Sequence, residues 1–136
     1  MSIFTKAAVA IVTPFKEGDL SVNYDEFAKL IDFQIESGTD AIVVCGSTGE
    51  AATMTEQEHL DVCKFCIDYT KKRVPVIAGS GSNCTATAIH LSEELASYGA
   101  DGLLVIHPYY NKATQKGLVK HFSMVAEAVK GCPVIL

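Results

Sequence analysis

The 136 residues carry 11 Lys and Arg against 16 Asp and Glu, a formal charge of -5, and are 49% hydrophobic, which suits one ordinary acidic folding unit spanning residues 1–136. The longest basic run is Lys71-Lys72-Arg73 and no aromatics interleave with clustered cations, so nucleic acid finds no electrostatic footing. No apolar stretch nears the roughly 20 residues a bilayer demands, and Met1 to Ala10 lack a charged leader with a long apolar core, so the expectation is a cytoplasmic protein without membrane contact.

Apolar runs begin at Ala7, Ala41, Val74, Gly102 and Pro133, about thirty residues apart, with one amphipathic segment between each pair, the rhythm of repeated βα units. The first, Ala8-Val9-Ala10-Ile11-Val12, ends in Thr13-Pro14-Phe15. Asn23 with Glu26 predicts a capped helix start, Phe27, Leu30, Ile31, Gln34 and Ile35 supply its inner face, and Gly38 stops it. The second run, Ile42-Val43-Val44, leads through Cys45 into Gly46-Ser47-Thr48-Gly49-Glu50, and Thr55 with Glu58 opens the next helix. Val74-Pro75-Val76-Ile77-Ala78 leads to Gly79-Ser80-Gly81-Ser82-Asn83, then to a helix with Ile89, Leu91, Leu95, Ala96 and Tyr98 inward and Gly99 at its end. Leu103-Leu104-Val105-Ile106 leads to His107-Pro108-Tyr109-Tyr110-Asn111 and a fourth helix, which Gly131 terminates. The runs are apolar throughout rather than alternating, as parallel strands covered on both sides require, so antiparallel hairpins are not expected. Periodicity does not separate a closed barrel from an open doubly wound sheet. A dinucleotide fold places its glycine fingerprint after the first strand, whereas here the glycine turn follows the second.

Five cysteines, at 45, 63, 66, 84 and 132, are an odd number spread over predicted strands and helices, which predicts reduced thiols rather than a disulfide framework. Cys63 and Cys66 share a helix face at i, i+3 and form half of a zinc pattern. No second close pair of Cys or His completes four ligands, so core packing is expected, with no metal and no cofactor.

Polar and aromatic groups gather just past the C-terminal ends of the strands, the edge where parallel sheets bind ligands. The N–H groups and hydroxyls of Ser47 and Thr48 suit a carboxylate, with Tyr109 or Tyr110 as donor or proton relay. The competing readings are a ligand-free polar turn and an aromatic pair that packs a loop or a subunit contact. His107 is a general-base candidate that reads first as a structural donor, and the Gly79 to Ser82 loop is a weak phosphate cradle without a following Lys.

Taken together, Val12-Thr13-Pro14-Phe15, Gly46-Ser47-Thr48-Gly49-Glu50, Val76-Ile77-Ala78-Gly79 and Pro108-Tyr109-Tyr110-Asn111-Lys112 resemble the family of pyruvate-dependent class I aldolases that contains dihydrodipicolinate synthase and N-acetylneuraminate lyase. The resemblance runs the length of the chain. The Tyr-Tyr-Asn run is synthase-like, whereas Ser47, where the synthases commonly carry Thr, is lyase-like. The resemblance implies an α/β fold of parallel (β/α) units, residues 1–136 forming the N-terminal half of a (β/α)8 TIM barrel with strands one to four and the start of strand five. It further implies a lysine that forms a Schiff base with pyruvate, and an enamine that attacks aspartate semialdehyde in lysine biosynthesis. By that likeness Ser47 and Thr48 hold the pyruvate carboxylate, Ser47 joins a hydroxyl relay, and Tyr110 completes the relay across a tight dimer interface. Ala51, His59, Asn83, Thr87 and Tyr109 match a lysine-feedback site, in which Thr87 replaces an acidic residue, so weak or absent inhibition by lysine is expected.

The same likeness places the Schiff-base lysine, a third relay tyrosine and a carboxylate-binding arginine beyond Leu136. Lys6, Lys112 and Lys120 do not match the catalytic position, and an ordinary exposed lysine is a poor amine nucleophile at neutral pH. The chain alone is therefore expected to be inactive and, as half a barrel with two open sheet edges, to self-associate or pair with a complementary half. The alternatives are a carboxylate-binding module without turnover, a half-barrel assembly fragment, and another aldolase of the lyase type.

Overall fold

A computed structural model describes residues 3–136; Met1 and Ser2, the start of the segment read for a leader, lie outside it. Strands β1 (Ala8–Ala10), β2 (Ala41–Val44), β3 (Val76–Gly79), β4 (Gly102–Leu104) and β5 (Val134–Ile135) form one parallel sheet in chain order. Helices α1 (Tyr24–Glu36), α2 (Glu56–Thr70), α3 (Thr85–Ser97) and α4 (Gln115–Ala128) make the crossovers, with a 3-10 turn at Ala51–Thr53. Because each crossover joins adjacent parallel strands and such crossovers share one hand, the helices stack on the same face. The one antiparallel contact among the described residues is an isolated bridge between Phe15 and Val22 inside the β1–α1 loop, a local turn rather than a hairpin of the sheet.

Register pairs Ala10 with Val43, Val43 with Ile77 and Ile77 with Gly102, so side chains sort by the two-residue period. Ile42, Val44, Val76, Ala78, Leu103 and Val105 lie on one side, each no more than 2% exposed, and pack with Phe27, Ile31, Val62, Leu91 and Leu95 into the core. The opposite side carries Ala8, Ala10, Ala41, Val43, Ile77 and Leu104. Here Ala8 and Ala10 are exposed, Val43 and Leu104 half-buried, and Ala41 and Ile77 buried. One face sealed by helices and one only partly covered is what a segment of a barrel wall presents, its inner face meant to meet other strands.

Both expected N-caps form, in different ways. Thr55 accepts from the Glu58 N–H at 3.2 Å while Glu58 accepts from the Thr55 N–H at 2.9 Å, a complete capping box that holds the Glu58 carboxyl below its usual pKa. Asn23 accepts from the Glu26 N–H at 3.2 Å, but Glu26 turns away to Lys29 at 2.6 Å, leaving that box one-sided. Gly38 and Gly99, at φ 88° and 92°, close α1 and α3 with paired 6→1 and 5→2 bonds, such as Thr39 N–H to Gln34 and Gly38 N–H to Ile35. Gly131 is a correction: α4 has already ended at Ala128, and the glycine at φ 98° shapes the turn into β5. The end of α2 uses no glycine. Lys71 and Lys72 sit at φ 51° and 59°, and the Lys72 ammonium donates to the Gly99 carbonyl at 2.7 Å and Asp101 at 2.9 Å, a tertiary anchor absent from the local sequence. Among the described residues no helix is long and apolar enough to cross a membrane.

Candidate active site at the rim of the sheet

All five strands point their C-terminal ends to one edge, which brings the loops after β1, β2, β3 and β4 together. The turn after β2 is tightly built. Cys45 ends the strand at φ 52°, and a Cβ at Gly79 would sit 2.1 Å from the Cys45 carbonyl oxygen, so only glycine fits beside it. Buried Thr13, at the end of β1, donates to the Gly49 carbonyl at 2.8 Å and fixes the far side of the turn. The N–H groups of Gly49, Glu50 and Ala51 bond to Gly46 and Ser47 carbonyls, leaving those of Ser47 and Thr48 unspent among the described residues. The Ser47 and Thr48 side chains are exposed.

Ser47, Tyr109 and Tyr110 line one cleft of about 790 Å³, with Glu50, His59 and Thr87 also in its wall. Tyr110 is 96% exposed at φ 66°, and its ring meets Tyr109 edge-on at 6.4 Å. Asn111 donates to the Asn83 carbonyl at 2.6 Å and so ties the loop after β4 to the loop after β3. Thr48, next to Ser47 in the turn, is exposed and not among the cleft-lining residues, and His107 is exposed and outside the cleft. In the loop after β3 the Ser80 N–H bonds to the Leu104 carbonyl, its hydroxyl accepts from Ser92 at 2.8 Å in a buried pair, and the Ser82 hydroxyl accepts from the Cys84 N–H.

The lining includes the acids Glu50 and Glu56 and, among the described residues, no Lys or Arg. An anion here meets neutral donors only, and no amine is at hand for covalent chemistry. Lys6 lies at the other end of the sheet, 3.7 Å from Asp40, and Lys112 is exposed outside the cleft. His59, which sequence likeness assigns only to a feedback site, is a buried polar group in the cleft wall. It is 6% exposed, its Nε2–H donates to the Gly79 carbonyl at 2.7 Å, and burial lowers its pKa. Its spacing of four residues before Cys63 was the available signal.

A five-stranded parallel sheet with its crossover helices is the architecture of the N-terminal half of a (β/α)8 barrel, and the cleft lies at the C-terminal ends of its strands. The profile of the dihydrodipicolinate synthetase family matches residues 3–136, and the chain belongs to that family. It is 60% identical over all 136 residues to the 4-hydroxy-tetrahydrodipicolinate synthase of Lachnoclostridium phytofermentans, covering 46% of that protein. The dihydrodipicolinate synthase of Aquifex aeolicus superposes with a TM-score of 0.90 at 48% identity, over 94% of this chain and 43% of that one. The chloride-inhibited dihydrodipicolinate synthase of Acinetobacter baumannii, solved with pyruvate, gives 0.92 at 46% identity, over 96% of this chain and 44% of that one. The chain thus spans about half the length of the relatives it matches.

Proposed function

We propose that the polypeptide carrying this segment condenses pyruvate with aspartate semialdehyde through a lysine Schiff base, the reaction of a 4-hydroxy-tetrahydrodipicolinate synthase in lysine biosynthesis. In this reading Ser47 and Thr48 bind the pyruvate carboxylate through their unspent N–H groups and hydroxyls, and Ser47 and Tyr110 carry protons between solvent and the reacting carbons. The observation that carries it is the convergence of Ser47, Tyr109 and Tyr110 on one cleft in a chain of this family. The lysine, which needs no cofactor because its iminium is the electron sink, comes from the remaining part of the barrel, as does the cation that neutralises the carboxylate. The 136-residue chain alone is inactive, since its cleft holds no Lys or Arg. The polypeptide resides in the cytoplasm, and the 136-residue segment by itself associates through its open sheet edges.

Borohydride reduction with pyruvate tests the reading by mass spectrometry. A stable adduct is expected on the whole polypeptide and none on residues 1–136, and Tyr110→Phe in the whole polypeptide should lower kcat by roughly 100-fold or more, the usual weight of a proton-transfer group. A whole polypeptide that takes no adduct, or a 136-residue chain that does, would overturn it.

A further inference from the structure

Directly behind the hydroxyl turn, the end of β2 meets the start of α2. The Cys45 sulfur, a ring nitrogen of His59 and the Cys63 sulfur lie within 4.8 Å of one another, and all three residues are buried. His59 and Cys63 are neighbours one helical turn apart, and Cys45 swings in through its left-handed backbone. The proposed aldol chemistry uses none of them. The His59 hydrogen bond fixes more than the ring's position: a carbonyl only accepts, so the proton sits on Nε2 and the lone pair on Nδ1. An imidazole whose other N–H is held by a backbone carbonyl is the state in which histidine ligates a metal.

We propose that Cys45, His59 and Cys63 form a binding site for one thiophilic divalent ion of the Zn2+ type. Two thiolates and the imidazole supply three ligands. The fourth position opens on the cleft, whose wall includes Cys45 and His59, and takes water or an anionic group of a bound small molecule. On binding, each thiol transfers its proton to solvent, so two protons leave per ion and no electron moves. Two thiolates cancel a double positive charge, so the loaded trio is uncharged in its buried setting. That balance selects a divalent ion over a monovalent or trivalent one. Cys66, the partner suggested by sequence spacing, lies outside the trio, and Cys45 takes its place from another element. An ion here would pin the end of β2 to α2 and brace the turn that carries Ser47 and Thr48.

The full chain, reduced and metal-free, is titrated with Cd2+ and then Zn2+. One ion per chain, two protons released per ion, and a thiolate-to-cadmium charge-transfer band are expected. Cys45→Ser and Cys63→Ser each abolish the band, whereas Cys66→Ser and the pair Cys84→Ser and Cys132→Ser keep it. Should the buried substitutions fail to fold, X-ray absorption on the unaltered chain with Zn2+ decides, with two sulfurs and one imidazole in the first shell as the expected result. A shell of nitrogen and oxygen alone, uptake without proton release, or a band that vanishes with Cys84 and Cys132 overturns the site.

Discussion

Cys45, Glu50 and Tyr110 hold left-handed backbone at φ 52°, 57° and 66°, each at a cost of order 1–2 kcal/mol for a side chain with a Cβ. All three line the cleft. Glycines in the motif are visible in the sequence; these three are not, because residues with a Cβ carry no local signal for the left-handed region. His121 is a residue whose state comes from packing. It shares a hydrogen bond of 2.9 Å with Thr85, its Nε2 has no partner, and burial lowers its pKa below 6.5. Between its folded value and 6.5 the unfolded chain holds a proton that the folded chain does not, so the stability from neutral His121 is intact above 6.5 and drains as pH falls through it. Thermal midpoints at about pH 8 and about pH 5.5 should show the unaltered chain losing more stability on acidification than His121→Gln. Equal losses would remove His121 as the source.

At the scale of elements, the helix starts were legible because a cap is local: a side chain and an N–H three residues away decide it. The two capped starts are nonetheless unequal. Thr55→Ala removes the hydroxyl that accepts from the Glu58 N–H and donates to the Glu58 carboxylate, leaving the backbone half of the box, and should cost about 1 kcal/mol, read as a fall in the urea midpoint, with Asn23→Ala costing less because the Asn23 side chain makes only the one bond to the Glu26 N–H. An Asn23→Ala loss as large as that of Thr55→Ala would mean that the bond from the Thr55 hydroxyl to the Glu58 carboxylate contributes nothing. The C-terminus of α2 was not legible, since Lys71 and Lys72 carry no stop signal and the turn is held by Gly99 and Asp101 from across the fold. In the glycine loop after β3, Ser80 is likewise held by tertiary bonds, to Leu104 and Ser92.

For the molecule as a whole, β1 and β5 form the two edges of the five-stranded sheet, and one sheet face is only partly covered. Unpaired N–H and C=O groups beside apolar surface favour association. Sedimentation of the 136-residue chain should therefore give a mass above the 14.6 kDa monomer, rising with concentration, and mixing with a separately made C-terminal half should replace that species by a one-to-one complex. A compact monomer at high concentration would refute the edge argument.

The order of strands and helices, their parallel sense and the identity of the turn residues were all written in the sequence, because hydrophobic period, caps and turn chemistry act within a few residues. Which side chains share a cleft was not. Ser47 meets Tyr109 and Tyr110, and Cys45 meets His59 and Cys63, only once strand register sets which loops and helix turns stand opposite one another, a long-range choice made by packing of the whole core.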